Sequence, residues 1–409
     1  MYNIDSDFIT MMRLMTNAAT DNNIDVESFD KSKVLQYAKE QSVLPLVYSV
    51  MNISDDKYKQ AVLRTVSKNI SDLSYIRKIL DEVHKNNINY VILKGESVAA
   101  VYKDPALRMS GDVDILVDEK DEDRVLEIFS QYGYSYTKRP EWGNETELYH
   151  PSKKLVEIHV ALYDKSREDI FFGPVGNITE PYMRITTENL GEIDVLSPND
   201  GIMFLYLHFV KHFLSSGAGI RQLLDVVMYS RFYRDKIDWD KLFEKLKSIH
   251  YLQLYSYLLS AAVKYMGFKK EDFPRVDYDF ERADKVLADL QHCGIFGHNE
   301  ADLAQFKRIY EKKRNEKYGF VNYDNYEKRY HASKIKLIFP SCKVMEKKYE
   351  YLRNHSYLLP FAWIQRIVSV GFGMLTKKKK IEKYININNI NTNDVIDDRM
   401  KLMEELDMI

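Results

Sequence analysis

The chain has 409 residues, 45% of them apolar, with 59 basic against 61 acidic side chains and a formal net charge of -2. That length allows two or three domains with a sizeable core, and the near-neutral balance argues against broad, non-specific nucleic-acid binding, which needs a strongly basic surface. The two cysteines, Cys293 and Cys342, are far apart and lack metal-ligand spacing, which argues against a disulfide framework or a zinc site and suits a reducing cytoplasm.

Residues 1–88 are predicted helical. Apolar positions recur at three and four in DFITMMRLM and in DLSYIRKILDEV. The opening MYNIDSDFITMMRLM lacks the basic-then-apolar order of a signal peptide, so none is expected. From Asn89 the period changes. NYVILKG reads as a short buried strand, GESVAAVYKD as a helix-like piece opening at Gly95, and DVDILV as a second strand. DEDRVLEIFSQYGY reads as a helix closed by Gly133, KLVEIHVAL as an alternating strand, and RITTENLGEIDVLS as a hairpin turning at Glu188–Gly191. Residues 89–197 are thus expected to form a mixed core, and 198–305 a helical domain opened by Ser-Pro-Asn-Asp. Residues 306–376 read as a basic, helical C-terminal region in which tyrosines alternate with lysine and arginine, and 377–409 as a frayed, solvated polar tail. There is no internal repeat. The longest apolar run, Phe361–Leu375, is too short for the roughly 20 residues of a membrane span. Trp363, Ile367, Val370 and Met374 fall at helical spacing before four lysines, so segment 361–380 reads either as peripheral membrane contact or as a packed helix with a solvated basic end.

The chemistry concentrates in the mixed core. On a strand, Asp112 and Asp114 share one face while Val113 and Ile115 turn to the other. Adjacent carboxylates repel, and they become useful around a shared cation; Mg²⁺ prefers carboxylate oxygens and substrate phosphates. Glu157, with His159 on the same face two residues on, offers a third acid. Lys94-Gly95-Glu96-Ser97 opens a helix whose free N–H groups suit phosphate. An isolated Asp-x-Asp is often a solvated turn. The succession of glycine-opened helix, Asp-x-Asp strand and later strand acid points instead to two-metal phosphoryl or nucleotidyl transfer. His208 and His212, four apart on a helix, have a zinc-like spacing without the intervening glutamate of a zincin.

These residues resemble a known pattern. LKGESVAAVYKDPALRMSGDVDILV is similar to the nucleotidyltransferase superfamily that includes DNA polymerase β, and most closely to its bacterial type 5 group. More loosely, Arg108, Ser110, Asp112 and Asp114 match the type IV toxin nucleotidyltransferases, the AbiEii group. Further along, Glu157–His159, the stretch carrying His208 and Lys211, and GIRQLLDVV with Arg221 and Asp225 continue the resemblance, which covers roughly residues 75–370. It implies an α+β fold, with a polymerase β-like core around a small mixed sheet and helical regions on either side.

The implied reaction moves a nucleoside monophosphate from an NTP such as ATP to a hydroxyl, releasing pyrophosphate. Asp112, Asp114 and Glu157 would hold Mg²⁺, and Glu157 would help deprotonate the acceptor. Lys94, Gly95, Ser97, Ser110 and Lys211 would bind nucleotide, Arg108 would contact phosphate or brace the loop before Asp112, and His159, His208, Arg221 and Asp225 would support them. The acceptor class is a small molecule, sugar or peptide rather than RNA, with no stable nucleic-acid partner, in the setting of polysaccharide or natural-product biosynthesis. Two departures stand out. The superfamily favours Gly-Gly or Gly-Ser where this chain has Gly95-Glu96, which would set a negative charge near the phosphates, and the third acid is Glu rather than Asp. A toxin-like RNA or tRNA nucleotidyltransferase and a catalytically inactive nucleotide-binding scaffold remain the alternatives.

Overall fold

Four helices form before the first strand: α1 (Ser6–Ala19), α2 (Lys31–Glu40), α3 (Leu44–Val50) and α4 (Asp56–Lys85). Three of them start on aspartates whose carboxylates accept from free backbone N–H groups, Asp5, Asp30 and Asp55. The fourth, α3, opens on Pro45, whose missing N–H costs nothing there. This computed structural model describes residues 4–51, 55–139, 143–163, 181–215, 217–293, 300–319, 345, 349, 351, 355–365 and 392–409. The chain divides into two compact units, Met1–Arg308 with Lys401–Ile409, and Ile309–Met400.

In the first unit the next elements are β1 (Tyr90–Ile92), α5 (Glu96–Ala99), β2 (Asp112–Val117), α6 (Glu122–Gln131), β3 (Ser135–Tyr136), β4 (Glu145–Tyr149), β5 (Leu155–His159), β6 (Met183–Thr187) and β7 (Gly191–Val195). They build a seven-stranded mixed sheet in the order β3-β4-β5-β2-β1-β7-β6. Strands β1 and β7 pair in parallel, as do β2 and β5; β1 is antiparallel to β2. The fold is therefore α+β with a mixed sheet among helices, as expected. The sheet is larger than the sequence reading, which passed over β3 and β4.

One face of the sheet carries Val113, Ile115, Val156, Ile158 and Val195, packed against Ile76 and Leu80 of α4 and Leu126 and Phe129 of α6. Each such side chain contributes about 1.5–3 kcal/mol on burial. Gly133 ends α6 at φ 84°, with the Tyr134 N–H reaching back to Phe129 and its own N–H to Ser130, the six-to-one closure that favours glycine. The opposite face holds a smaller apolar cluster of Val91, Leu93, Leu116, Leu196 and Phe204.

Phe204 belongs to α7 (Pro198–Ser215), followed by α8 (Ile220–Phe232), α9 (Trp239–Ser248), α10 (Leu252–Tyr265), α11 (Phe280–Cys293), α12 (Glu300–Tyr318) and α13 (Thr392–Glu405). The buried amide of Gln41 ties the N-terminal helices to this group. It accepts from the Ile220 N–H at 2.8 Å and donates to the Leu290 carbonyl at 3.2 Å.

The polar-tail reading of 377–409 is corrected at its end. Residues 392–405 are helical, and Leu402, Met403, Leu406 and Met408 are buried. Arg282 holds the terminus by donating to the Glu405 carbonyl at 2.9 Å and pairing with Asp407 at 3.0 Å. The charged surface of this segment hid an apolar stripe at helical spacing. In the second unit, Met345, Tyr349 and Ala362 form a small cluster with Trp363 against it. Ile367, Val370, Met374 and the lysine run lie outside the described residues, as do 320–336 of the basic stretch. Among the described residues no helix is long and apolar enough to cross a membrane.

Helix α7 carries several site residues, and its seat against α8 depends on Gly201, where an added Cβ would collide with the Tyr229 hydroxyl. Gly201→Ala should therefore destabilise the protein by about 1–3 kcal/mol, the usual cost of overpacking, measured by urea unfolding. An unchanged midpoint would show that Tyr229 moves aside freely.

Candidate active site

The parallel pairing of β2 with β5 sets Asp114 opposite Glu157 and Leu116 opposite His159. On the other side of β5, antiparallel β4 sets Glu145 opposite His159. Because side chains alternate along a strand, Asp112, Asp114, Glu157, His159 and Glu145 project from the same face. Val113, Ile115 and Ile158 face the core behind them.

Four carboxylates on one wall need cations, and the chain provides them. The Lys94 ammonium lies 3.1 Å from Asp114 Oδ1 and 3.3 Å from Asp112 Oδ2. Its third neighbour is His208 Nε2 at 3.1 Å. An ammonium has no acceptor, so His208 must present an unprotonated nitrogen to it. His212 Nε2 is 3.0 Å from the same atom. Desolvation and the nearby Lys94 charge depress both rings, His208 well below its ordinary value and His212 to about 4. Both are neutral at neutral pH.

His159 behaves oppositely. Burial works against its charged form, yet hydrogen bonding to Asp114 and Glu157 and the charges of Asp114 and Glu145 carry its pKa up to about 9. Its Nε2 is 3.2 Å from Asp114 Oδ1 and 3.6 Å from Glu157 Oε2, and its Nδ1 is 3.6 Å from Glu145 Oε2. That shift favours the ring as a positively charged counterion to the acids around it. For Lys94 too, burial is outweighed by Asp114, Asp112 and Glu157, which hold the ammonium above the ordinary lysine range.

The carboxylate wall suits a hard cation. Asp114 Oδ2 is buried with no hydrogen-bond partner, and Asp112 and Glu157 add half-open oxygens beside it. Asp114, Glu157 and His159 can bring ligand atoms within 4.8 Å of one another. The carboxylate oxygens of this group are the donors that Mg²⁺ prefers.

Lys94, Asp112, Glu157, His159, His208 and Lys211 all line one cleft, with Asp114 beneath it and Tyr163, Phe204 and Leu207 on its apolar side. Lys211 is 43% exposed at the side chain and 3.8 Å from Glu145, the most solvated cation of the group. Other expected contacts are redirected. The Ser97 hydroxyl donates to the Leu93 carbonyl at 3.2 Å inside its own turn, the Gly95 carbonyl accepts from Arg108, and α5 is only four residues long. Ser110 offers its carbonyl to the Lys154 ammonium and does not line the cleft.

Of the two roles open to Arg108, its contacts are those of a brace. Its Nε and Nη2 donate to the two Asp225 oxygens at 2.8 Å each, and its Nη1 donates to the Gly95 carbonyl at 3.1 Å. The Tyr102 hydroxyl donates to the same carboxylate at 2.7 Å. Burial alone would raise Asp225, but the Arg108 charge and hydrogen bonds hold it below the usual carboxylate value. Arg221 completes the brace by donating to the Met109 carbonyl at 2.8 Å. Together these bonds fix the loop between α5 and β2 onto α8, and with it the start of the Asp112 strand.

Glu96 does not face the cleft. It is buried and accepts from Asn189 of the β6–β7 turn at 3.1 Å. Burial outweighs that bond and raises its pKa. The expected conflict between Glu96 and substrate phosphates does not arise from this position. Sequence reading missed Glu145, although TELYH alternates and marks a strand, and it missed Lys154, half-buried at the edge of β5, whose pKa desolvation lowers to about 8.

Two stability tests follow from these contacts. Breaking a buried pair while leaving its partner charged costs about 3–5 kcal/mol, so Arg108→Ala should lose about that much in urea unfolding. A loss below about 0.5 kcal/mol together with weakened nucleotide binding would mean that Arg108 serves substrate instead. Glu96→Gln keeps the acceptor for Asn189 and removes a buried charge. Because the folded-state pKa of Glu96 lies above its unfolded value, the folded state binds the proton more tightly, and the wild type loses stability as pH rises through that window. The variant should melt higher than wild type at neutral pH, with the gap closing below the ordinary value of 4.5. A gap that is constant across pH would contradict the assignment.

Comparison with known proteins bears on this geometry. A family model described as uncharacterised nucleotidyltransferase matches residues 27–267. Comparison with curated protein sequences finds no match. Among solved structures, the solution structure of the antibiotic-resistance factor ANT(2'')-Ia is 11% identical at TM-score 0.30, covering 40% of this chain and 84% of that one. The lincomycin-bound crystal structure of the lincosamide antibiotic adenylyltransferase LnuA is 19% identical at TM-score 0.25, covering 32% and 83%. An antigenic nucleotidyltransferase-like protein from Paracoccidioides brasiliensis is 18% identical at TM-score 0.25, covering 39% and 75%. Structural likeness at this level carries no weight for the chemistry. The family match is different, because it spans more than half of the chain and includes the whole carboxylate wall. The chain belongs to the uncharacterised nucleotidyltransferase family, and its enzyme class is nucleotidyl transfer.

Proposed function

We propose that this protein is a magnesium-dependent enzyme of the cytoplasm that moves a nucleoside monophosphate from an NTP to a hydroxyl of a small-molecule, sugar or peptide-linked acceptor. The observation that carries this reading is the register of β2 against β5. It aligns Asp112, Asp114 and Glu157 on one wall of a cleft, with a buried Asp114 oxygen left unpartnered. Asp112, Asp114 and Glu157 would hold Mg²⁺, which when bound supplies charge neutralisation and orientation to the phosphates.

The remaining chemistry belongs to the chain. Glu157, 16% exposed at its side chain, reaches the cleft and accepts the proton of the acceptor hydroxyl. The hydroxyl oxygen forms a bond to the α-phosphorus as the bond to pyrophosphate breaks. Lys211, the most solvated cation at the wall, meets the negative charge of the triphosphate. His159, held as an imidazolium, keeps Asp114 and Glu157 close despite their repulsion. Tyr163, Phe204 and Leu207 offer the apolar surface of the same cleft to a base or acceptor ring. The Lys94 ammonium lies between the two aspartates, and that observation supports a second reading, a catalytically inactive nucleotide-binding scaffold.

Thermal shift with each common NTP, with and without Mg²⁺, tests the binding half. A ligand at a hundred times its Kd stabilises by about 2.7 kcal/mol, so at least one NTP should raise Tm in a Mg²⁺-dependent way. Asp112→Asn/Asp114→Asn should abolish the rise. No shift with any NTP in Mg²⁺ would overturn the proposal. A shift without pyrophosphate release, tested against a panel of hydroxyl acceptors, would favour the scaffold.

A further inference from the structure

Lys94 raises a question that the transfer reaction alone does not answer. Its ammonium touches Asp112, Asp114 and His208 at once, and its side chain is only 10% exposed. The backbone allows it little freedom. Leu93 donates to the Asp114 carbonyl at 3.0 Å, so Lys94 follows directly from the β1–β2 ladder. Gly95 then turns at φ 76° and is tied through its carbonyl to Arg108. The Cα is fixed beside the aspartates, and only the four-carbon stem can swing.

A divalent cation bound by Asp112 and Asp114, whether through the unpartnered Asp114 Oδ2 or through the oxygens that Lys94 holds, would sit a few ångströms from the ammonium. Two cations at that distance repel. Without metal, Lys94 already answers the charge of the aspartate pair. For metal to enter, the ammonium must find other anionic oxygens of comparable strength. Within the cleft, a polyphosphate is the substrate group that supplies them, and it arrives past Lys211 at the solvated end.

We propose that Lys94 is a built-in counterion that guards the aspartate pair, released by the triphosphate of an incoming nucleotide, so that divalent metal and nucleotide bind cooperatively and neither is held firmly alone. This deepens, and rests on, the nucleotidyltransferase reading of the same site. The coupling is reciprocal: a ligand that draws Lys94 away raises metal affinity, and metal raises affinity for that ligand by the same factor.

The test is Mn²⁺ binding, followed by electron paramagnetic resonance and calorimetry, to wild type, Lys94→Met and Lys94→Arg. Each is measured with Mn²⁺ alone and with the α,β-methylene analogues of the common nucleoside triphosphates. Folding of each variant is checked by circular dichroism; if Lys94→Met does not fold, Lys94→Gln, which is polar but uncharged, takes its place. Wild type should bind Mn²⁺ weakly alone and about tenfold or more tightly with one analogue. Lys94→Met should bind Mn²⁺ about tenfold more tightly than wild type without nucleotide and lose most of the nucleotide-dependent gain. Lys94→Arg, which keeps the charge, should resemble wild type in Mn²⁺ alone. If Lys94→Met gains no metal affinity while Asp112→Asn/Asp114→Asn abolishes the wild-type Mn²⁺–nucleotide complex, the guard is overturned and the site reading stands. If no protein binds Mn²⁺ with any analogue, both fall.

Discussion

The parallel register of β2 on β5 is the constraint from which the rest of the site follows. It sets Asp114 directly beside Glu157, and the antiparallel return of β4 brings Glu145 against His159 on the same wall. Two unit charges 4 Å apart at an effective permittivity of roughly 20 interact by about 4 kcal/mol. Repulsion of that size between neighbouring carboxylates is comparable with a large part of a domain's net stability, so it must be neutralised within the fold. Lys94 arrives from β1, His159 from β5 itself and Lys211 from α7. Helix α7 is therefore part of the electrostatics of the sheet as well as part of its cover. Its Phe204 fills the apolar patch above Leu116 while its His208 receives the Lys94 ammonium.

A second buried pair fixes where the wall begins. Arg108 and Asp225 are almost wholly buried, and such a pair adds little net stability compared with apolar residues of the same shape. Its value here is geometric. The planar guanidinium satisfies both oxygens of one carboxylate and still has a donor for the Gly95 carbonyl, a combination that a lysine point charge does not reproduce. The loop carrying Met109 and Ser110 is thereby fastened at both ends, to α8 through Arg221 and to β5 through Lys154. Asp112 enters the sheet from a fixed direction, which is what a site dependent on exact carboxylate spacing requires.

How much of this was legible in the sequence varied with the range of the interaction. Alternation exposed β2 and β5, and the parity of Asp112, Asp114, Glu157 and His159 followed from the strand period alone. The hairpin at Gly191 and the closure of α6 at Gly133 are likewise local, because positive φ is written in a single residue. Partnerships across the chain were not readable. Arg108 finds Asp225 across 117 positions, and Lys94 finds His208 across 114. A one-dimensional pattern marks Lys94 as a phosphate ligand and leaves Arg108 open between phosphate and a brace, because nothing in it shows which partner lies nearer. The Ser97 hydroxyl was equally unreadable: in a helix of four residues it turns onto the carbonyl four places back. In the C-terminal segment the polar surface concealed Leu402, Met403, Leu406 and Met408, whose burial depends on helices far away in sequence.

The charge arrangement also bears on which ligands the cleft favours. Asp112, Asp114, Glu157 and Glu145 are met by Lys94, His159 and Lys211, while His208 and His212 are held neutral by desolvation and by Lys94. A bare anion would meet four carboxylates, and a bare cation would meet the resident ammonium and imidazolium. A ligand that brings both signs together, polyphosphate with a divalent ion, exchanges one set of charge pairings for another in a low-permittivity site. The resident pairing explains how so acidic a wall remains inside a folded protein. The neutral histidine pair completes it: protonating His208 would remove the acceptor facing Lys94 and add positive charge beside it, so its suppressed basicity is a condition for the lysine to remain where the structure places it.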